Sequence, residues 1–259
     1  MGTEKRARQK ANRQARLQAA VVAQQRAKKK RQYLRIGIIA VVVVAVLAGF
    51  ALWPRSNSDD AASSSGFAYG TGPCPPDPVT TPTKTFNAAP MLCIDPSKSY
   101  VAIFDTTAGT IRAQLDTSRT PGTTNNFVTL SRFLYYDASQ FFRTNTGIGI
   151  IQGGGTSQAD SPGYTIPDEG GRFTYSPGDL IMARSPQPNS AGSQFFFAVN
   201  QNTASLDAAG TYVTFGRVTE GQDVLDKVLA TNKATNPAQP DEGKPDPPVT
   251  VTSIRIEES

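Results

Sequence analysis

One cation, Arg143, directly follows two phenylalanines, and two glutamines, Gln152 and Gln194, stand in short apolar runs: Ile150-Ile151-Gln152-Gly153-Gly154 and Ser193-Gln194-Phe195-Phe196-Phe197. A guanidinium among hydrophobes and carboxamides can bind, orient and polarise a neutral group, and it stays charged at any working pH. The chain holds no histidine, which excludes Ser-His-Asp and Cys-His catalysis and the common His-ligated zinc and haem sites. Two cysteines are too few for a four-thiolate zinc or iron–sulfur centre. Asp168-Glu169 is an adjacent pair, which in a strand would point to opposite faces and could not act as a hydrolytic dyad. Gly153-Gly154-Gly155 lacks the GxxxxGK[ST] pattern of a phosphate loop and is read as a turn or bulge. Neither a metal nor a cofactor is expected. What remains is one cation among apolar and amide side chains.

The elements that must position these residues begin at about Tyr100. Tyr100–Asp105 and Gly109–Leu115 read as two strands joined by a short turn. A helix is expected over Pro121–Phe133, with Phe127, Leu130 and Leu134 at helical spacing and Thr123 or Thr124 as its cap. Short apolar runs at 147–154, 180–183, 194–199 and 212–218 are broken by Gly and Pro. Glu220–Leu229 carries Val224, Leu225 and Val228 on one face of a second helix, and Val249–Ile256 alternates cleanly as a last strand. Eight or so short strands with only two helices predict a mainly β fold, a closed antiparallel β-barrel rather than a βαβ fold. The region 99–259 is long enough to bury one core.

Upstream of this domain the charge is sharply divided. Residues 1–35 hold 12 Lys/Arg and one acid, whereas the other 224 residues hold 14 basic and 20 acidic groups. The pI of about 9.2 therefore reflects one arm, not the main domain. Residues 36–53 are eighteen uncharged positions, about 27 Å as a helix, close to the ~30 Å hydrocarbon core. They predict a transmembrane helix, with a cleaved signal peptide as the alternative. The positive-inside rule puts residues 1–35 in the cytoplasm and residues 56–259 outside, in a single-pass membrane protein. The basic arm is then explained by topology and anionic lipid, so membrane lipid is an expected partner and nucleic acid is not.

Residues 54–98 form a Ser/Pro-rich stretch, expected to be an extracytoplasmic tether. It contains Cys74 and Cys93 with eighteen residues between them; in an oxidising compartment they would form a structural disulfide. Free thiols, or a lipid-modified Cys74, are the alternatives.

Read in order, FFR, IIQGGG, PGYTIPDE, GDLIMAR, NSAGSQFFFAV and YVTFGRVTEGQDVLDKV resemble the cyclophilin family of peptidyl-prolyl cis–trans isomerases, in a membrane-anchored bacterial form. The resemblance covers residues 100–257. It implies an eight-stranded antiparallel barrel capped by two helices, a groove for an Xaa-Pro segment and proline-containing polypeptides as clients. It places the catalytic arginine at Arg143 and the groove glutamines at Gln152 and Gln194. The proline pocket falls on Ile150, Met182, Phe196 and Leu206, with Ala183 and Arg184 on the rim and Tyr212 where a histidine usually stands. The family's pocket phenylalanine falls on Gly149 with Ile148 beside it, and its tryptophan on Ser205.

Rotation about an Xaa-Pro bond faces a barrier of about 18–20 kcal/mol from amide resonance. A catalyst need only favour the twisted state, whose prolyl nitrogen gains a lone pair that a guanidinium can meet. The function expected is isomerisation assisting exported proteins, by a monomer. The second reading is a catalytically weak peptide-binding or scaffold module tethered to the membrane.

Overall fold

The computed structural model of the chain describes residues 66–259. Strands β1 (Tyr100–Thr106) and β2 (Gly109–Leu115) form the expected hairpin, and helix α1 (Pro121–Arg132) follows. Then come β3 (Ser139–Gln140), β4 (Arg143–Asn145), β5 (Ile150–Gly153), β6 (Asp179–Met182) and β7 (Phe195–Ala198). A 3-10 helix (Gln201–Leu206), β8 (Thr214–Glu220), α2 (Gln222–Ala230), β9 (Asn232–Ala234), β10 (Glu242–Pro245) and β11 (Thr250–Glu258) complete the chain.

All eleven strands belong to one antiparallel sheet in the order β3-β11-β1-β2-β8-β6-β7-β5-β4-β10-β9. The short segment 139–145 makes it curl. Its first half, β3, pairs with β11, and its second half, β4, pairs with β5. Counting that segment once leaves eight positions around the curl, with the β9–β10 hairpin as an added flap on β4. The core is aromatic: Phe104, Phe127, Tyr136, Phe195, Phe197 and Phe215 are fully buried, with Phe104 5.2 Å from Phe197 and Phe127 5.1 Å from Phe215.

The caps differ from expectation. Helix α1 starts after Thr120 with Pro121 in its first turn, and neither Thr123 nor Thr124 caps it. Its first free N–H groups, on Gly122 and Thr123, instead donate to the Glu169 carboxylate from a distant loop. A carboxylate there also faces the positive end of the helix. Glu220 ends β8 rather than opening α2.

The tether was expected to run to residue 98, yet residues 66–98 lie on the domain as a strap. Phe67, Phe86 and Ala89 pack against the core, and Ile94 joins it. The buried Asn125 of α1 donates to Met91 O (2.9 Å) and accepts from Cys93 N (2.7 Å). Lys84 Nζ donates to the Asp137 carbonyl at 2.9 Å, and a disulfide joins Cys74 to Cys93. These anchors are spaced irregularly, so they leave no periodic signature in a stretch rich in Pro, Ser and Thr. No helix among the described residues is long and apolar enough to cross a membrane. The span expected at 36–53 and the arm at 1–35 lie outside the described residues.

Candidate functional site

Strand register brings the candidate residues together. Arg143 on β4 faces Gln152 on β5, and Gln152 faces Phe196 on β7. Directly opposed residues share a face, so a cation, an amide and an aromatic ring stand in one row across three strands. Ile150 follows Gln152 by period two. Phe195 and Phe197 point the other way into the core, as expected for Phe195.

That row opens onto a cavity of about 480 Å³. Arg143, Ile148, Ile150, Gln152, Ala183, Arg184, Gln194, Phe196, Leu206 and Tyr212 all line it. Met182 does not. It is 1% exposed and sits in the core, because alternation along β6 turns it away from the side on which Ala183 meets the cavity. Gly149 leaves no gap to fill: its φ is +68°, and a Cβ there would lie 2.2 Å from Asn200 Oδ1. Ile148 is the residue that reaches the cavity wall. Tyr212 lies edge-on to Phe196 at 5.6 Å, and its backbone N–H donates to Tyr175 Oη at 2.8 Å. Burial pushes the Tyr175 phenol up to about 12, so it serves as a fixed neutral partner.

The polar groups form a chain along the floor. Gln194 Nε2 donates to the carbonyls of Gln158 (3.0 Å) and Asp160 (2.9 Å). Its Oε1 accepts from Gln152 Nε2 at 3.0 Å, and Gln152 Oε1 accepts from Arg143 Nη1 at 2.8 Å. At the far end Arg143 Nε and Nη2 both donate to Glu242, the latter at 2.9 Å. The guanidinium is thus held at all three of its nitrogens, by Glu242 along one edge and by Gln152, while its side chain remains 25% exposed. Hydrogen bonding from Arg143 holds the Glu242 carboxyl below the usual glutamate range, against the opposing effect of burial. Arg184 is tied down differently, by Asp168 Oδ2 and the Gln187 carbonyl, with only 9% of its side chain exposed.

Sequence reasoning missed Glu242, which lies 99 residues from Arg143 in a Pro- and Gly-rich stretch with no local signal of a role. It also missed the opposite wall, where Pro162 and Tyr164 line the cavity. Among the described residues no cluster of three or more His, Cys, Asp or Glu could hold a metal. A neutral amide lying over Phe196 would meet the Gln152 carboxamide and, next to it in the row, the charged donor Arg143. That suits binding and polarisation without proton transfer.

The family described as "Cyclophilin type peptidyl-prolyl cis-trans isomerase/CLD" matches residues 101–256. The chain is 33% identical over 161 residues to the peptidyl-prolyl cis-trans isomerase cyp18 of Streptomyces antibioticus, covering 59% of this chain and 95% of that protein. It is 34% identical over 148 residues to a peptidyl-prolyl cis-trans isomerase of Synechococcus elongatus, covering 53% of this chain and 98% of that one. A crystal structure of a Cryptosporidium parvum cyclophilin type peptidyl-prolyl cis-trans isomerase, in the presence of the dipeptide Ala-Pro, is similar with a TM-score of 0.52 and 26% identity. It covers 61% of this chain and 99% of that one.

Proposed function

The chain belongs to the cyclophilin-type peptidyl-prolyl cis–trans isomerases, and from that premise we propose that Arg143 drives the isomerisation of exported, membrane-proximal clients. The protein is a peptidyl-prolyl cis–trans isomerase. The observation that carries the role of Arg143 is the row Arg143–Gln152–Phe196 opening on one cavity.

In this reading the proline ring sits against Phe196, Ile148, Ile150 and Leu206, with Tyr212 closing the slot. Gln152 and Gln194 hold the flanking backbone. A guanidinium has five N–H groups. Three of Arg143's are engaged by Glu242 and Gln152, which leaves two for a ligand. As the amide twists, conjugation is lost and the prolyl nitrogen becomes a better acceptor. A donor fixed in place beforehand then gains more with the twisted state than with either planar state, which is the condition for catalysis. No covalent bond is made or broken.

The location rests on the sequence. An eighteen-residue apolar run between a strongly basic arm and an acidic domain supports a single-pass anchor with residues 56–259 outside the cytoplasmic membrane. Clients would then be proline-containing polypeptides emerging on that side.

Two measurements test this. NMR exchange spectroscopy on an Xaa-Pro peptide should show catalysis by the full chain and its loss in Arg143→Ala. Equal rates for the two would overturn the assignment of Arg143. Protease added to intact cells should degrade residues 56–259; protection of that region would overturn the topology.

A further inference from the structure

We propose that Glu242 is a positioning residue for isomerisation, holding Arg143 by one edge and the cavity wall through Asn145. This rests on the reading of Arg143 given above.

The geometry comes from the flap. Strand β10 pairs with β4 so that Glu242 faces Asn145 and Gly243 faces Thr144. Glu242, Asn145 and Arg143 therefore lie on the same face of neighbouring strands, with Arg143 diagonal to the carboxylate. Within the flap, β9 lies close against β10 because residue 243 is glycine: a Cβ there would sit 2.2 Å from the Lys233 carbonyl oxygen. Thr144 Oγ1 donates to Asn232 Oδ1 at 2.6 Å, and Thr146 pairs with Asp241 through its backbone N–H (3.0 Å) and its hydroxyl (2.9 Å). The flap is thus fastened on both sides of Glu242.

One carboxylate serves two ligands. It takes the Nε and Nη2 groups of Arg143, and it accepts from Asn145 Nδ2 at 2.6 Å. Asn145 Oδ1 in turn accepts the backbone N–H of Ile148 at 3.0 Å, which places Ile148 in the cavity wall. An arginine side chain has many rotamers. Binding it bidentately along the Nε–Nη2 edge removes most of them and turns the remaining donors toward Gln152 and the slot. The same contact neutralises part of the charge, so its benefit is orientation rather than field strength.

The test compares the full chain with Glu242→Ala and the isosteric Glu242→Gln in NMR exchange on an Xaa-Pro peptide. The Nε–H resonance of Arg143 is followed in parallel. Displacing a reacting group by about 1 Å can cost roughly a hundredfold. Glu242→Ala should therefore lower kcat by about tenfold to a hundredfold with KM within about twofold, and its Nε–H signal should shift and exchange faster with water. Glu242→Gln, which keeps one acceptor, should fall between, and it decides the matter if Glu242→Ala does not fold. Unchanged or increased kcat in a folded variant overturns the proposal, as does a loss confined to KM. Arg143→Ala separates the two readings: if it is inactive while Glu242→Ala matches wild type, only the positioning role fails. If Arg143→Ala itself retains full rate, the reading beneath it fails.

Discussion

Phe86 on the strap rests against Tyr164 on the cavity wall, with ring centroids 6.1 Å apart at 71°, and its backbone N–H donates to the Pro162 carbonyl at 2.8 Å. Tyr164 Oη continues the contact to Asn126 of α1 at 2.7 Å. The segment before the first strand thus buttresses one side of the groove. Phe86→Ala should cost about 1–2 kcal/mol of stability, since the ring is partly buried and makes edge contacts with Phe133 and Tyr164. It should also raise KM for an Xaa-Pro peptide more than it lowers kcat. Urea titration and exchange NMR on the same variant check both.

The Cys74–Cys93 bond closes a loop that carries five prolines, Pro75, Pro76, Pro78, Pro82 and Pro90. Opening it frees the unfolded chain, worth about 3 kcal/mol for a loop of this size in the chain-entropy account. The Cys74→Ser/Cys93→Ser double variant should be less stable by about that amount in a urea titration. Adding reductant should then move the wild type and leave the variant where it is.

Arg143→Lys keeps the charge and discards the fork. A lysine cannot bind Glu242 along two parallel N–H bonds and still reach Gln152. The expected outcome is a loss in kcat of about a hundredfold or more, close to that of Arg143→Ala, because a single preorganised donor is worth roughly that factor. Recovery of most activity by lysine would mean that charge alone suffices.

Two carboxylates should move the acid limb of stability in opposite directions. Hydrogen bonding from Arg143 lowers Glu242, so its contribution is present above the unfolded glutamate value and is lost as pH falls through the lowered folded value. Burial raises Glu169, despite its bonds to the start of α1, so the folded chain holds that proton longer and stability declines as pH rises through the window above the unfolded value. Relative to wild type, Glu242→Gln should be most costly near neutral pH and nearly silent in acid. Glu169→Gln should compare better with wild type near neutral pH than in acid. Thermal melts from pH 3 to pH 7 read both slopes.

Strand β2 is legible because one face of it is wet, which imposes period-two alternation, whereas β1, buried without a break over Ala102–Phe104, is read from its apolar run and the short turn that follows it. Strands β5, β6 and β7 are buried at every position and show no period, so their place came only from motif order. The same blind spot misassigned Met182: a strand buried on both sides does not declare which side faces the cavity. Arg143, Gln152, Gln194 and Phe196 could be read from the motifs, and register then explains why they meet. Glu242 could not be read, since a carboxylate in a turn-rich loop looks like any solvated acid. The strap escaped notice for a related reason. Its contacts are two rings, a lysine and an asparagine's grip on backbone, none of which repeats at a helical or strand interval.

The strap also sets where mechanical load would travel. Tension applied at Gly66 would meet the packing of Phe67 on the core, then the Gly70–Pro90 and Gly72–Ala89 backbone bonds and the covalent loop between residues 74 and 93, all upstream of Tyr100. Those links are pulled before any strand of the curl. A tug along the chain from that side would reach β1 only by way of Cys93, which the disulfide ties to Cys74 and whose N–H is held by Asn125 of α1.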